Sequence, residues 1–192
     1  MPWSNWGGKQ YIDSMIAVLK PGSALDVGCG AGTYRDLLDI DDFDAVEAWT
    51  PYIERYGLEA AYGKVFNEEI QTFGWPRTYD LVILGDVLEH LTLEDAVLVM
   101  GRALENSKYV VLSIPVAKSP QGICEGNPYE VHIKDNWSHD EIMGLWKGYV
   151  SVCNIHGSIG TYFLTRECDD EIKAAHTIVT GNNPAFKELE TC

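Results

Sequence analysis

The chain is short of positive charge, of paired cysteines and of long apolar runs. Lys and Arg total 14 against 29 Asp and Glu in 192 residues, a formal net charge of −15. Proteins that grip nucleic acid neutralise its phosphates with Lys and Arg. No basic run occurs here, so the balance argues against a nucleic-acid partner and favours a small or neutral substrate. It does not oppose a cationic cofactor. No apolar stretch has the length needed to span a bilayer, and "MPWSNWGGKQYI" lacks the apolar segment of a secretory signal. The five cysteines (Cys29, Cys124, Cys153, Cys168 and Cys192) are scattered and form no C-x-x-C pair, which speaks against a zinc knuckle or a disulfide framework. A reducing, cytoplasmic setting is the expectation.

What the chain does have is alternation of strand and helix. In "YIDSMIAVLK" (11–20), Ile12, Met15, Ile16 and Leu19 make a helical stripe that Pro21-Gly22 ends. "SALDVG", "FDAVEAW" and the weaker "GKVFN" read as strands, and "TYRDLLDI" and "TPYIERYG" as helices, the latter capped by Thr50. "YDLVILGD" (79–86) is a near-continuous apolar run, as a central parallel strand covered on both faces requires. "LEDAVLVMGRALEN" is an amphipathic helix capped by Thr92, and "YVVLSIP" is a fifth strand. Residues 118–138 are rich in Gly, Pro and Asn, and a loop of that length in a compact domain is commonly functional. "HDEIMGLWKG" reads as a helix. "YVSVCNIHG" and "GTYFLTRE" then read as a closing antiparallel pair around Gly157-Ser158-Ile159-Gly160. The expectation is one α/β domain with a mostly parallel seven-stranded sheet. Residues 1–20 would form an N-terminal helix and lid, 21–167 the main domain, and 168–192 a polar tail, partly disordered.

The stretch "ALDVGCGAGTY" (24–34) joins the first strand to a helix through a glycine turn, a geometry that cradles nucleotide cofactors. Its spacing discriminates among them. Gly28, Gly30 and Gly32 give G-x-G-x-G, and Thr33 stands where the dinucleotide fingerprint needs its third glycine. No Lys-Ser/Thr pair follows, so the P-loop pattern fails as well. Asp26 places a carboxylate before the turn, which would repel a pyrophosphate and would tolerate an ammonium or a sulfonium.

"LDVGCGAGTY" resembles the first motif of the S-adenosylmethionine-dependent methyltransferases with the Rossmann-like, three-layer fold. The likeness continues through "FDAVEAW", "YDLVILGDVLEHL" and "YVVLSIPV", roughly residues 20 to 116. The resemblance implies that Asp26 and the backbone at Gly28 and Gly30 face the methionine part of the cofactor. It implies that Glu47 binds the ribose hydroxyls and that Gly85 and Asp86 border the reacting methyl. Asn67 would lie near the adenine, where the family often has Asp. Trp49 would pack on the adenine or cover the sheet edge.

"GDVLEHL" leaves the fourth strand. In one helical turn Asp86, Glu89 and His90 would share a face at i, i+3 and i+4. Such a set can hold a divalent cation or orient His90 as a base. His132, in the long loop, would join them. The set resembles the D/E-x-x-E-H metal-binding element of the small-RNA 2′-O-methyltransferases and of some quinone O-methyltransferases. The spacing of His132 and its surrounding loop depart from those families. The alternatives are a metal-free pocket, with His90, Glu89 and His132 as its catalytic residues, and a structural role in which Glu89 and His90 simply start the helix. Trp3, Trp6, Tyr129 and Trp137 are candidate lid and wall aromatics, and Tyr11 is a candidate cofactor contact.

The function these features point to is S-adenosylmethionine-dependent methyl transfer to an oxygen of a small molecule or glycan. The rivals are an NAD-dependent oxidoreductase, a non-catalytic S-adenosylmethionine-binding regulatory module and an RNA 2′-O-methyltransferase. The missing third glycine and Asp26 oppose the first rival, and the acidic balance opposes the last.

Overall fold

A computed structural model describes residues 6–183 and 186 of the chain. Trp3 and part of the expected tail lie outside these residues. Seven strands form one sheet: β1 (Ser23–Val27), β2 (Asp42–Val46), β3 (Val65–Phe66), β4 (Tyr79–Gly85), β5 (Ser107–Pro115), β6 (Val150–His156) and β7 (Ile159–Leu164). Their order is β3-β2-β1-β4-β5-β7-β6. The first five run parallel, and β7 pairs antiparallel with both β5 and β6. The chain is therefore a single α/β domain of the expected kind, its antiparallel strands closing one side.

The helices are α1 (Lys9–Leu19), α2 (Thr33–Leu37), α3 (Thr50–Tyr56), α4 (Leu58–Ala61), α5 (Leu93–Glu105), α6 (His139–Trp146) and α7 (Asp170–Asn182). They cover both faces of the sheet because strand side chains alternate. On β4, Val82 and Leu84 join a core with Ala96, Val99 and Met100 of α5 and Ile142 of α6. Leu81 and Ile83 join the opposite core, with Ile12 and Met15 of α1, Tyr34 of α2 and Ile172 of α7. Among the described residues no helix is long and apolar enough to cross a membrane.

Some local expectations are corrected. Residues 170–182, read as polar tail, form α7, whose narrow stripe of Ile172, Ala175 and Val179 packs into the core beside α1. Across that contact the Tyr11 hydroxyl lies 2.7 Å from His176 Nδ1. Tyr11 is thus a core residue between helices and does not line the cavity described below. Trp137 is also core, packed with Trp146, and Trp6 is exposed. Helix α3 begins one residue early, with Trp49 rather than Thr50 at its cap. Cys29, Cys124 and Cys168 carry free thiols.

Candidate active site

β1 and β4 are neighbours from which the strand order runs outward in opposite directions, and ligands bind beyond the strand ends at such a point. Both strands end in a glycine for steric reasons. Gly28 has φ +64°, and a Cβ there would sit 3.0 Å from Val87 Cγ2. At Gly85 a Cβ would fall 2.1 Å from the Tyr34 ring. Backbone at these two points forms the floor of a cavity of about 540 Å³. One wall is Glu47, Ala48, Tyr52 and residues 68–71, another is Asp86, Val87, Glu89, His90 and Leu91, and residues of the 119–133 segment form a roof.

Glu47 is fixed by two backbone donors. Its Oε2 accepts from Gly30 N at 2.9 Å and its Oε1 from Trp49 N at 2.8 Å. Burial raises its pKa while those two amides pull the other way. Each carboxylate oxygen has two lone pairs, so both can still accept from a ligand in the cavity. Asn67 lies outside the cavity lining and braces the Glu47 loop from behind. Its Nδ2 donates to Glu47 O (2.8 Å) and Ala48 O (3.2 Å), and its Oδ1 accepts from Thr50 Oγ1 at 2.7 Å. Its neighbour Glu68 lines the cavity and Trp49 does not.

Asp26 is placed differently from the motif-based expectation. Strand alternation turns it to the face shared with Ala24 and Ala45, away from the cavity that Val27 and Gly28 line. There it accepts from the Tyr62 hydroxyl at 2.5 Å. Burial pushes its pKa up to about 7 against the pull of Tyr62 and Lys9.

Beyond β4 the helical turn starts at Leu88, because Asp86 has a left-handed backbone with φ +55°. Asp86 lines the cavity, yet the turn does not carry it onto the face of Glu89 and His90 as the i, i+3, i+4 spacing suggested. His132 completes the cluster, and one ligand atom from each of Glu89, His90 and His132 lies within 4.8 Å of the others. Glu89 is buried, and its Oε2 has no hydrogen-bond partner among the described residues. Burial, then the charge of Asp86, raises its pKa.

His90 Nδ1 lies 3.2 Å from Val131 O, and His132 Nδ1 contacts Ser119 O. A carbonyl oxygen only accepts, so each Nδ1 carries the hydrogen of its contact. Burial, then the neighbouring His132, lowers the His90 pKa to about 4, leaving that ring neutral near pH 7. Two imidazoles oriented through Nδ1, that of His90 neutral, and a buried carboxyl whose Oε2 has no partner among the described residues match the donor set and outer support of a divalent-metal site.

Glu47, Glu68, Glu69, Asp86, Glu89 and Glu130 line the cavity, and among the described residues no Lys or Arg does. The one fully buried cation among the described residues, Lys9, stands behind the floor with its Nζ donating to Tyr34 OH at 2.7 Å. Tyr52, Gln121 and Glu130 are lining residues that sequence reasoning missed. Glu130 ends the 3-10 turn Pro128–Glu130, two residues before His132, and both line the cavity.

No family model matches the sequence, and no curated protein matches it. Solved structures do share its fold. An O-methyltransferase family protein from Burkholderia thailandensis aligns with TM-score 0.59 at 15% identity, over 83% of this chain and 55% of that one. An O-methyltransferase from neocarzinostatin biosynthesis, in complex with S-adenosylmethionine and 2-hydroxy-5-methyl naphthoic acid, aligns with TM-score 0.61 at 17% identity, over 81% and 52%. The methyltransferase domain of bacterial CtHen1 aligns with TM-score 0.60 at 17% identity, over 85% and 100%. The chain thus spans about half the length of the first two and matches the third throughout. Its fold is that of the Rossmann-like S-adenosylmethionine-dependent methyltransferases.

Proposed function

We propose that this chain is an S-adenosylmethionine-dependent O-methyltransferase for an uncharged hydroxyl-bearing acceptor, a small molecule or a sugar, and that it uses a divalent cation held by Glu89, His90 and His132. The observation that carries this reading is the buried Glu89 Oε2, without a hydrogen-bond partner among the described residues, beside two imidazoles in the wall of a cavity floored by the glycine turn. S-adenosylmethionine, when bound, supplies a methyl already activated on a sulfonium. The protein then has to align an acceptor oxygen and help remove its proton.

The cavity's residues suit that cofactor. Gly28 and Gly30 leave backbone room for the methionine part, and the anchored Glu47 accepts from the ribose hydroxyls. Gly85 and Asp86 border the methyl position. Six acidic side chains and, among the described residues, no Lys or Arg in the lining suit a cationic sulfonium and ammonium and disfavour phosphates, as in NAD or a nucleic-acid end. A divalent cation, when bound, supplies Lewis acidity that eases loss of a hydroxyl proton. His90 alone is a poor substitute, since a pKa of about 4 lies far from that of an effective base near neutrality. Glu89, His90 and His132 are therefore read as a chelating set.

Thermal denaturation with separate ligands tests this. S-adenosylhomocysteine at a hundred times its Kd should stabilise the chain by about 2.7 kcal/mol, with no shift from NAD. Mn²⁺ should add a further shift that Glu89→Gln abolishes while the S-adenosylhomocysteine shift remains. A shift with NAD and none with S-adenosylhomocysteine would overturn the cofactor assignment. No response to any divalent ion would overturn the chelating role.

A further inference from the structure

The roof of the cavity is one continuous segment with joined ends. Ser119 N donates to Asp135 O at 2.7 Å, and His132 N donates to Gln121 O at 3.0 Å. Compact loops closed in this way form discrete units held by their own contacts. Between its joined ends the segment reaches across to the wall that carries Glu47. Tyr52 of α3 donates to Glu130 Oε1 at 3.1 Å, and Tyr129 donates to Glu69 Oε1 at 3.1 Å. Arg55 of α3 forms an ion pair with Glu125 further out. Glu130 is the junction, because its other oxygen accepts from Gln121 Nε2 at 2.9 Å within the segment.

The same segment also bears on the opposite wall. Glu89 and His90 are built into the corner between β4 and α5, whereas His132 belongs to the roof. Val131 O faces His90 Nδ1, and Lys134 N donates to Glu89 O at 3.0 Å. One short stretch therefore supplies a wall of the cofactor cavity and the third member of the Glu89, His90 and His132 cluster.

We infer that residues 119–135 act as a lid that couples the two sites, so that a divalent cation and the cofactor bind cooperatively. This rests on the metal and cofactor reading above. With the lid in place a cation meets three side chains, and with it displaced only two. The cofactor likewise meets two walls and a roof, or two walls alone. A ligand shifts a conformational equilibrium only by its different affinity for the two states, and both ligands here favour the same one. Linkage then requires each to strengthen the other by one common factor.

Isothermal titration of the full chain measures that factor. S-adenosylhomocysteine is titrated in the presence of a chelator and again in saturating Mn²⁺, and Mn²⁺ is titrated with and without S-adenosylhomocysteine. Each is expected to tighten the other by the same factor, at least about fivefold. The double variant Tyr52→Phe, Tyr129→Phe removes both hydroxyl tethers and so populates the displaced lid; both ligands should bind it more weakly alone, and the factor should rise, because each then does more of the closing for the other. If both ligands bind the unaltered chain and the factor is one, the coupling is overturned and the functional reading stands. If Mn²⁺ does not bind, the coupling falls together with the metal assignment. If S-adenosylhomocysteine does not bind, it falls with the cofactor assignment.

Discussion

Asp26 sits under the glycine turn as a buried acid bonded to a tyrosine hydroxyl, and that environment makes it a source of pH-dependent stability. Its carboxyl keeps its proton to about pH 7 in the folded chain, against an ordinary value of 3.8. Between those two values the folded state binds more protons than the unfolded one, so this contribution is fully present below pH 3.8 and is lost as pH rises through 7. Asp26→Asn keeps a neutral acceptor for Tyr62 and removes the titration. Urea unfolding of both proteins at several pH values in that window should show the variant gaining on the parent as pH rises. Identical pH dependence would refute the assignment. The placement of Asp26 was legible in strand parity, since Leu25 and Val27 belong to one face and Ala24 and Asp26 to the other. The motif drew attention to its charge and away from its direction. Glu130 was illegible for another reason: its partner Tyr52 lies 78 residues away, and no local pattern encodes a contact of that range.

Helix α5 sets the Glu89–His90 corner, because its cap follows that corner directly. The Thr92 side chain accepts from Asp95 N at the first turn. Thr92→Ala should therefore cost about 1 kcal/mol, a fall in Tm of roughly 2–4 °C for a domain of this size. Thr92→Ser should recover most of it. An unchanged Tm in the alanine variant would show that α5 is held by its apolar face alone. This helix and β4 were readable from the sequence because hydrophobic period and caps agreed. The long segment after β5 was recognisable as an unusual loop, but its route over the cavity depends on tethers from α3 and from Glu69. Helix α7 escaped because a three-residue apolar stripe in a polar stretch gives little periodic signal. Only the waiting surface of α1 makes that stripe meaningful.

At the scale of the molecule the dominant quantity is a net charge of −15. Like charges repel most when the chain is compact, and salt screens them over about 10 Å at 0.1 M. Raising NaCl from low to near-physiological concentration should therefore increase Tm, by roughly 2–4 °C for each kcal/mol of repulsion relieved. A fall in Tm would mean that local pairs, such as Arg77 with Asp42 and Asp44, outweigh the overall field. The α/β class and the glycine turn were visible in the sequence because both are local patterns. The packing of α1 against α7 was not, and it bears on how the protein is made. The inner face of α1 is completed by a helix that begins at Asp170. Synthesis of the intervening 150 or so residues takes roughly 8–30 s at ordinary ribosomal rates. Throughout that interval Ile12, Met15 and their neighbours have no final cover, so a nascent chain stalled before α7 should be a better chaperone client than the finished one.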